Sequence, residues 1–173
     1  MAKIFSPKIP APNLYRSVAR NESLFIDMID MGFITPTGLM DRKVIPSRIR
    51  EMLILRTCVK SKNEYEFNLH VGTISEKMGL KLEEIEDIKN EHPNENLWSN
   101  ADRNLLSLVD ELVCNLSISD EAFENLTIYF SEEILIEIVL FVGLYTTVAM
   151  MVSFIKPEMD FNLKKLDNKT QRL

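Results

Sequence analysis

Two glutamates and a histidine, Glu51, Glu66 and His70, fall within the span 51–70 of this chain, on stretches whose apolar residues recur at helical spacing. Histidine gives and takes protons near neutral pH, and a carboxylate beside it can orient the ring or act as a second acid or base. Glu66 and His70 are four residues apart, so a helix over 63–78 sets both side chains on one face. Glu51 lies on the preceding helix, and the break at Ser61-Lys62-Asn63 lets the two helices run antiparallel and bring Glu51 back towards the pair. Each residue also has a structural reading. Glu51 could pair with Arg48 three residues earlier, and a helical histidine can simply be satisfied by the glutamate one turn before it.

The elements that must position these groups are helices. With 173 residues and 46% hydrophobic content the chain suits one domain with a real core, and five glycines with nine methionines favour helix over sheet. Residues 1–12 are a proline-rich arm, with Pro7, Pro10 and Pro12. Asn13 can cap a helix carrying Leu14, Val18, Leu24, Phe25, Met28 and Ile29, which ends near Gly32, and Thr35 to Gly38 reads as a turn. A second helix starts near Pro46, and the third, over 63–78, stops at Gly79. A short acidic helix over 82–89 breaks at His92-Pro93. Ser99 and Asp102 form a capping box for a helix through Leu112, another helix covers 120–130, and the tail 158–173 is polar.

Residues 134–155 carry a single charge, Glu137, and are long enough to span a bilayer. Glu137, Tyr145, Thr146, Thr147 and Ser153 spread along them, and no aromatic clusters anchor both ends, so a core helix of a bundle or an oligomer interface is the expectation. A small domain cannot cover every face of such a helix, which predicts self-association.

A net charge of −6, with both signs interspersed, argues against nucleic acid and against anionic membranes as partners. Cys58 and Cys114 have no CxxC spacing, which points to a reduced, cytoplasmic protein, and the N-terminus has no apolar run suited to a signal peptide. No metal is expected, because His70 and His92 lack ligand spacing and His92 reads as a solvated loop residue. No Gly-rich phosphate loop is present, so the chemistry is expected to need no cofactor. Cys58, at i+7 from Glu51, could line the same pocket, although a buried free cysteine is usually inert packing. Tyr65 and Tyr145 could offer hydroxyls there, or serve as aromatic core.

Arg50-Glu51 followed by Leu-Ile-Leu-Arg, then Asn-Glu-Tyr-Glu-Phe-Asn-Leu-His ending at His70, resembles the carboxymuconolactone decarboxylase family, in which a glutamate precedes Tyr-Glu-Trp-x-x-His. Trp98-Ser99, Val109-Asp110-Glu111-Leu112, Ile118-Ser119-Asp120 and Val142-Gly143-Leu144-Tyr145 with Val148-Ala149 follow in the family's order, over about residues 14–157. The resemblance implies an all-α, AhpD-like helical bundle over 13–157, with a long buried C-terminal helix at the interface of a homotrimer or hexamer. It also implies a small-molecule substrate. The redox branch of that superfamily carries a Cys-x-x-Cys where this chain has Asn63 and Glu66, Phe67 replaces the usual tryptophan, and Ser153 stands where relatives often carry asparagine. What the resemblance implies chemically is a lyase or isomerase: His70 as general acid oriented by Glu66, Glu51 as relay or second acid, and Tyr65, Phe67, Cys58 and Tyr145 as pocket lining. Two alternatives remain open, an alkylhydroperoxidase-type antioxidant activity through Cys58 and a non-catalytic oligomeric protein that binds a small molecule.

Overall fold

Met52-Leu53-Ile54-Leu55 gives one helix apolar side chains on every face, so that helix has to lie at the centre of the domain. The computed structural model describes residues 11–33 and 38–160, and in it that helix, Ser47–Lys60 (α3), has every residue from Glu51 to Cys58 buried. Around it stand α4 (Glu64–Thr73), α6 (Asn100–Asn115) and α8 (Glu132–Ile155), with α5 (Leu82–Asp87) and α7 (Asp120–Thr127) filling the ends. Two short helices, α1 (Asn13–Val18) and α2 (Glu22–Asp30), precede α3, and α1 packs on α8. No strand occurs among the described residues. The core joins Met52, Leu53 and Leu55 of α3 to Leu105, Leu108 and Val109 of α6 and to Ile138, Phe141 and Val142 of α8.

Among the described residues, half of the α-helix starts follow side-chain capping chemistry. Ser99 accepts from the Asp102 amide at 3.1 Å while the Asp102 carboxylate accepts from the Ser99 amide, which opens α6 as the capping box predicts. Asn63 caps α4 by accepting from the Glu66 amide at 3.2 Å. Two expected helices are shorter than periodicity suggests. The helix expected from Asn13 through Ile29 is broken after Val18, because the Asn21 side chain accepts from the Leu24 amide and starts a new helix there; the cap position of α1 is held by Pro12, not Asn13. The helix expected over 63–78 ends at Thr73, where Gly72, Thr73 and Ile74 are poor helix formers, and a 3-10 turn over Glu76–Met78 leads to Gly79 at φ +102°. The arm over 1–10, most of the turn at Thr35 to Gly38, and the tail from 161 lie outside the described residues.

One buried ion pair ties three helices together and has no counterpart in the sequence expectations. Arg56, 1% exposed, donates to both oxygens of Asp110 on α6 at 2.6 and 2.5 Å and to the carbonyls of Ile88 and Asn90 at 2.8 and 2.7 Å. It thereby joins α3 to α6 and satisfies carbonyls just after α5.

The long apolar segment, expected as a core helix with part of its surface left for another subunit, is buried on one side only. α8 is long and apolar enough by composition to cross a membrane, but Leu135, Ile138, Phe141, Val142, Tyr145, Val148 and Ala149 pack it into the domain as a core helix. Its opposite side shows Ile136, Leu140, Gly143, Thr147, Met150 and Phe154 to the outside, at alternating spacings of four and three residues. The central, fully enclosed helix is α3.

Candidate active site

The antiparallel turn between α3 and α4 sets Glu51 opposite His70, as the break at 61–63 leads one to expect. His70 Nδ1 lies 2.9 and 3.1 Å from the two Glu51 oxygens, and Ser75 Oγ donates to Glu51 Oε1 at 2.7 Å. Glu51 and Ser75 are almost fully enclosed. Arg48 does not hold Glu51: its guanidinium bonds Glu84 at 2.5 Å and Asp102 at 3.0 Å. The pairing is therefore internal to the core, not a surface ion pair.

Glu66 stands on the other side of the ring, its Oε1 at 3.5 Å from His70 Nε2. That distance is long for a hydrogen bond. The expected order of the two carboxylates is thus reversed: Glu51 orients the ring through Nδ1, and Glu66 flanks the nitrogen that faces outward from that clamp. Glu66 Oε2 is buried and accepts no hydrogen bond, as is the Asn63 Nδ2 group one turn earlier, which donates none. A carboxylate oxygen shielded from water without a donor is costly unless a ligand supplies one. Glu66 also borders a narrow cavity of about 20 Å³, lined by Leu14, Tyr15 and Val18 of α1, Phe25 and Met28 of α2, Val148 and Met151 of α8, and Phe33 and Met40 between α2 and α3.

The electrostatics follow from burial and proximity. Burial opposes the imidazolium, but hydrogen bonding to Glu51 and Glu66 and the charges of both carboxylates raise the His70 pKa from 6.5 to about 9. Burial likewise opposes the Glu51 anion, yet the His70 contact, Ser75 and the charge of Arg50 hold its carboxyl below the usual range. The resting state is an imidazolium donating through Nδ1 to Glu51, with its Nε2 proton available beside Glu66. Burial and the Glu66 charge push the Tyr15 hydroxyl up to about 12 and the Tyr145 hydroxyl well above its ordinary value, so both stay protonated.

The other sequence candidates divide. Tyr145 sets its ring edge-on to His70, centroids 5.9 Å apart, and so supports the imidazole as packing. Tyr65 turns away from the cavity: its hydroxyl accepts from the Leu14 amide at 3.1 Å and donates to Asp160 at 2.6 Å, tying α1 to the end of the described chain. Phe67 is also outside the cavity, lying under the Lys89 ammonium in an open groove that Cys58 and Asn63 reach from within. Cys58 is buried, and burial together with the charges of Glu66 and Glu51 pushes its thiol well above the ordinary range, the opposite of what thiolate chemistry needs. Ser75 is the site residue that sequence reasoning missed, because a continuous helix to 78 would have carried it away from Glu51. No group of His, Cys, Asp and Glu among the described residues is arranged to hold a metal.

No protein-family model and no curated protein sequence matches the chain. A structural likeness does: a crystal structure from Agrobacterium tumefaciens, of a protein of unknown function described provisionally as an antioxidant defence protein, AhpD, superposes with a TM-score of 0.71 at 18% identity. The match covers 87% of this chain and 99% of that one. At that identity the likeness speaks to architecture, and the architecture it establishes for this chain is the all-helical AhpD-like fold.

Proposed function

We propose that this protein is a cofactor-free acid–base enzyme of the carboxymuconolactone decarboxylase type, a lyase or isomerase that moves a proton at a carbon next to a carbonyl in a small molecule. The observation that carries the proposal is the unpartnered, buried Glu66 Oε2 beside an imidazolium whose far nitrogen is held by Glu51. In the isomerase form, Glu66 takes the proton from the carbon while His70 Nε2 donates to the carbonyl oxygen to form the enol; Glu66 then returns the proton to a different carbon as the enol hydroxyl gives its proton back to His70. In the lyase form, loss of carbon dioxide leaves the enolate and His70 supplies the proton to carbon. Glu51 keeps the ring in place and compensates its charge throughout, and Ser75 fixes Glu51.

The pattern at 63–70 supports this branch over the redox branch, since Asn63 and Glu66 stand where a thiol pair would be required. The domain is proposed to work in the cytoplasm as a homotrimer or hexamer, joined through the exposed stripe on α8. Absorbance assays on a panel of unsaturated lactones and ketones, 4-carboxymuconolactone included, test the reaction class. Turnover of a panel member that His70→Gln and Glu66→Gln both abolish, with helicity unchanged, is the expected result. Equal turnover by wild-type and a His70→Gln, Glu66→Gln double variant contradicts it.

A further inference from the structure

The cavity beside Glu66 has a charge balance that bears on what can occupy it. Glu51 and Glu66 set two carboxylates against the single imidazolium of His70, which leaves one net negative charge at the buried end. Among the described residues no lysine or arginine lines the cavity, and Tyr15 is the other titratable group on its wall. Arg50, the nearest cation to act on Glu51, is itself paired with Asp41 at 3.1 Å. The rest of the lining is largely apolar, with Phe25, Met28, Phe33 and Met151, and Val18 on α1. A guest carboxylate placed there would be desolvated against apolar side chains and brought up to a carboxylate already in excess. A neutral carbonyl faces neither cost, and the His70 imidazolium proposed to donate to its oxygen stands next to the cavity-lining Glu66, Nε2 at 3.5 Å from Oε1. The void is narrow as it stands, but Met28, Met40 and Met151 are side chains that repack readily around a guest.

We infer that this cavity selects an uncharged ketone or lactone with a compact hydrocarbon body, and turns away the same molecule when it bears a free carboxylate. The inference rests on the isomerase form of the proton-transfer reading, since the decarboxylating form needs a carboxylate on the substrate, and names its substrate class.

The test uses a matched pair of probes, cyclohexanone and 4-oxocyclohexane-1-carboxylate, with the full chain. Binding is read by saturation-transfer NMR, and exchange of the α-hydrogens is followed in D2O. Cyclohexanone is expected to bind at least about tenfold more tightly than the carboxylate. Two variants should close that gap to within about threefold by removing the excess charge or balancing it: Glu66→Gln, and Val18→Lys, which adds a cation on the cavity wall without touching the acid–base groups. Tighter or equal binding of the carboxylated probe by the wild-type protein overturns the inference, and so does failure of both probes to bind. The proton-transfer reading fails separately: selective binding of cyclohexanone with α-hydrogen exchange no faster than in His70→Gln sinks that reading while the selectivity stands.

Discussion

His70 gathers more of the site's energetics than any other side chain. It is buried, clamped by Glu51 through Nδ1 and flanked by Glu66, and its pKa rises to about 9. Because the folded state holds the proton more tightly than the unfolded chain, the stabilisation is complete below pH 6.5 and is lost as pH climbs through about 9. Two outcomes follow at this scale. The His70 ring should titrate near 9 by NMR, and Glu51→Gln should bring it below the ordinary histidine value, since burial then acts with one carboxylate fewer against it. Urea denaturation should show wild-type stability falling between pH 6.5 and 9 relative to His70→Gln, by an amount on the order of 3 kcal/mol. Cys58 should behave as an inert core residue. Iodoacetamide at pH 7.5 is expected to label the exposed Cys114 at least tenfold faster, and Cys58→Ala should leave turnover unchanged. Rapid labelling of Cys58 would reopen the thiol route.

At the scale of elements, the turn between α3 and α4 and the junction after α4 decide whether the site exists. Asn63 starts α4 with its side chain, and the end of α4 at Thr73 frees Ser75 to reach Glu51. The helical pairing of Glu66 with His70 and the return of Glu51 were legible in the sequence, because both depend on local periodicity and a visible break. Ser75 was not, because it required knowing that Gly72, Thr73 and Ile74 end the helix five to seven residues before Gly79. The break at Asn21 was missed for a related reason: apolar spacing ran on through a residue whose side chain competes for the backbone. The Arg56 to Asp110 pair was illegible altogether, since it joins residues 54 apart that no motif links. Its energetic weight is testable. Asp110→Asn leaves a nearly buried guanidinium half matched and should cost about 3 kcal/mol in urea denaturation, whereas Lys81→Ala, whose pair with Glu83 is exposed on both sides, should change stability by less than about 1 kcal/mol.

For the whole molecule, the fold class was readable because composition and helical periodicity agreed everywhere, and the AhpD-like likeness bears that out. The position of α8 was only half readable. An all-round apolar helix suits either the centre of a bundle or an oligomer interface; α3 takes the centre, and α8 keeps one face in the core and leaves one open. Ile136, Leu140, Gly143, Thr147, Met150 and Phe154 follow a heptad-like rhythm on its open face, with small residues in the middle that allow close approach of a neighbouring helix. If a second copy covers that stripe, light scattering should give a mass above that of one chain, and the double variant Ile136→Glu, Met150→Glu should run as a monomer with unchanged helicity. A wild-type monomer at micromolar concentration would contradict oligomerisation through α8.

The central claim is that Glu66 and His70 together pass a proton at carbon. Its most direct test follows the conversion of 3-cyclohexen-1-one to the conjugated ketone by ultraviolet absorbance, using wild-type protein, Glu66→Gln and His70→Gln. Wild-type catalysis that falls at least about a hundredfold in each variant, and whose kcat declines as pH rises through about 9, is the predicted result. A variant that isomerises the ketone at the wild-type rate, or a wild-type protein no faster than buffer, would contradict it.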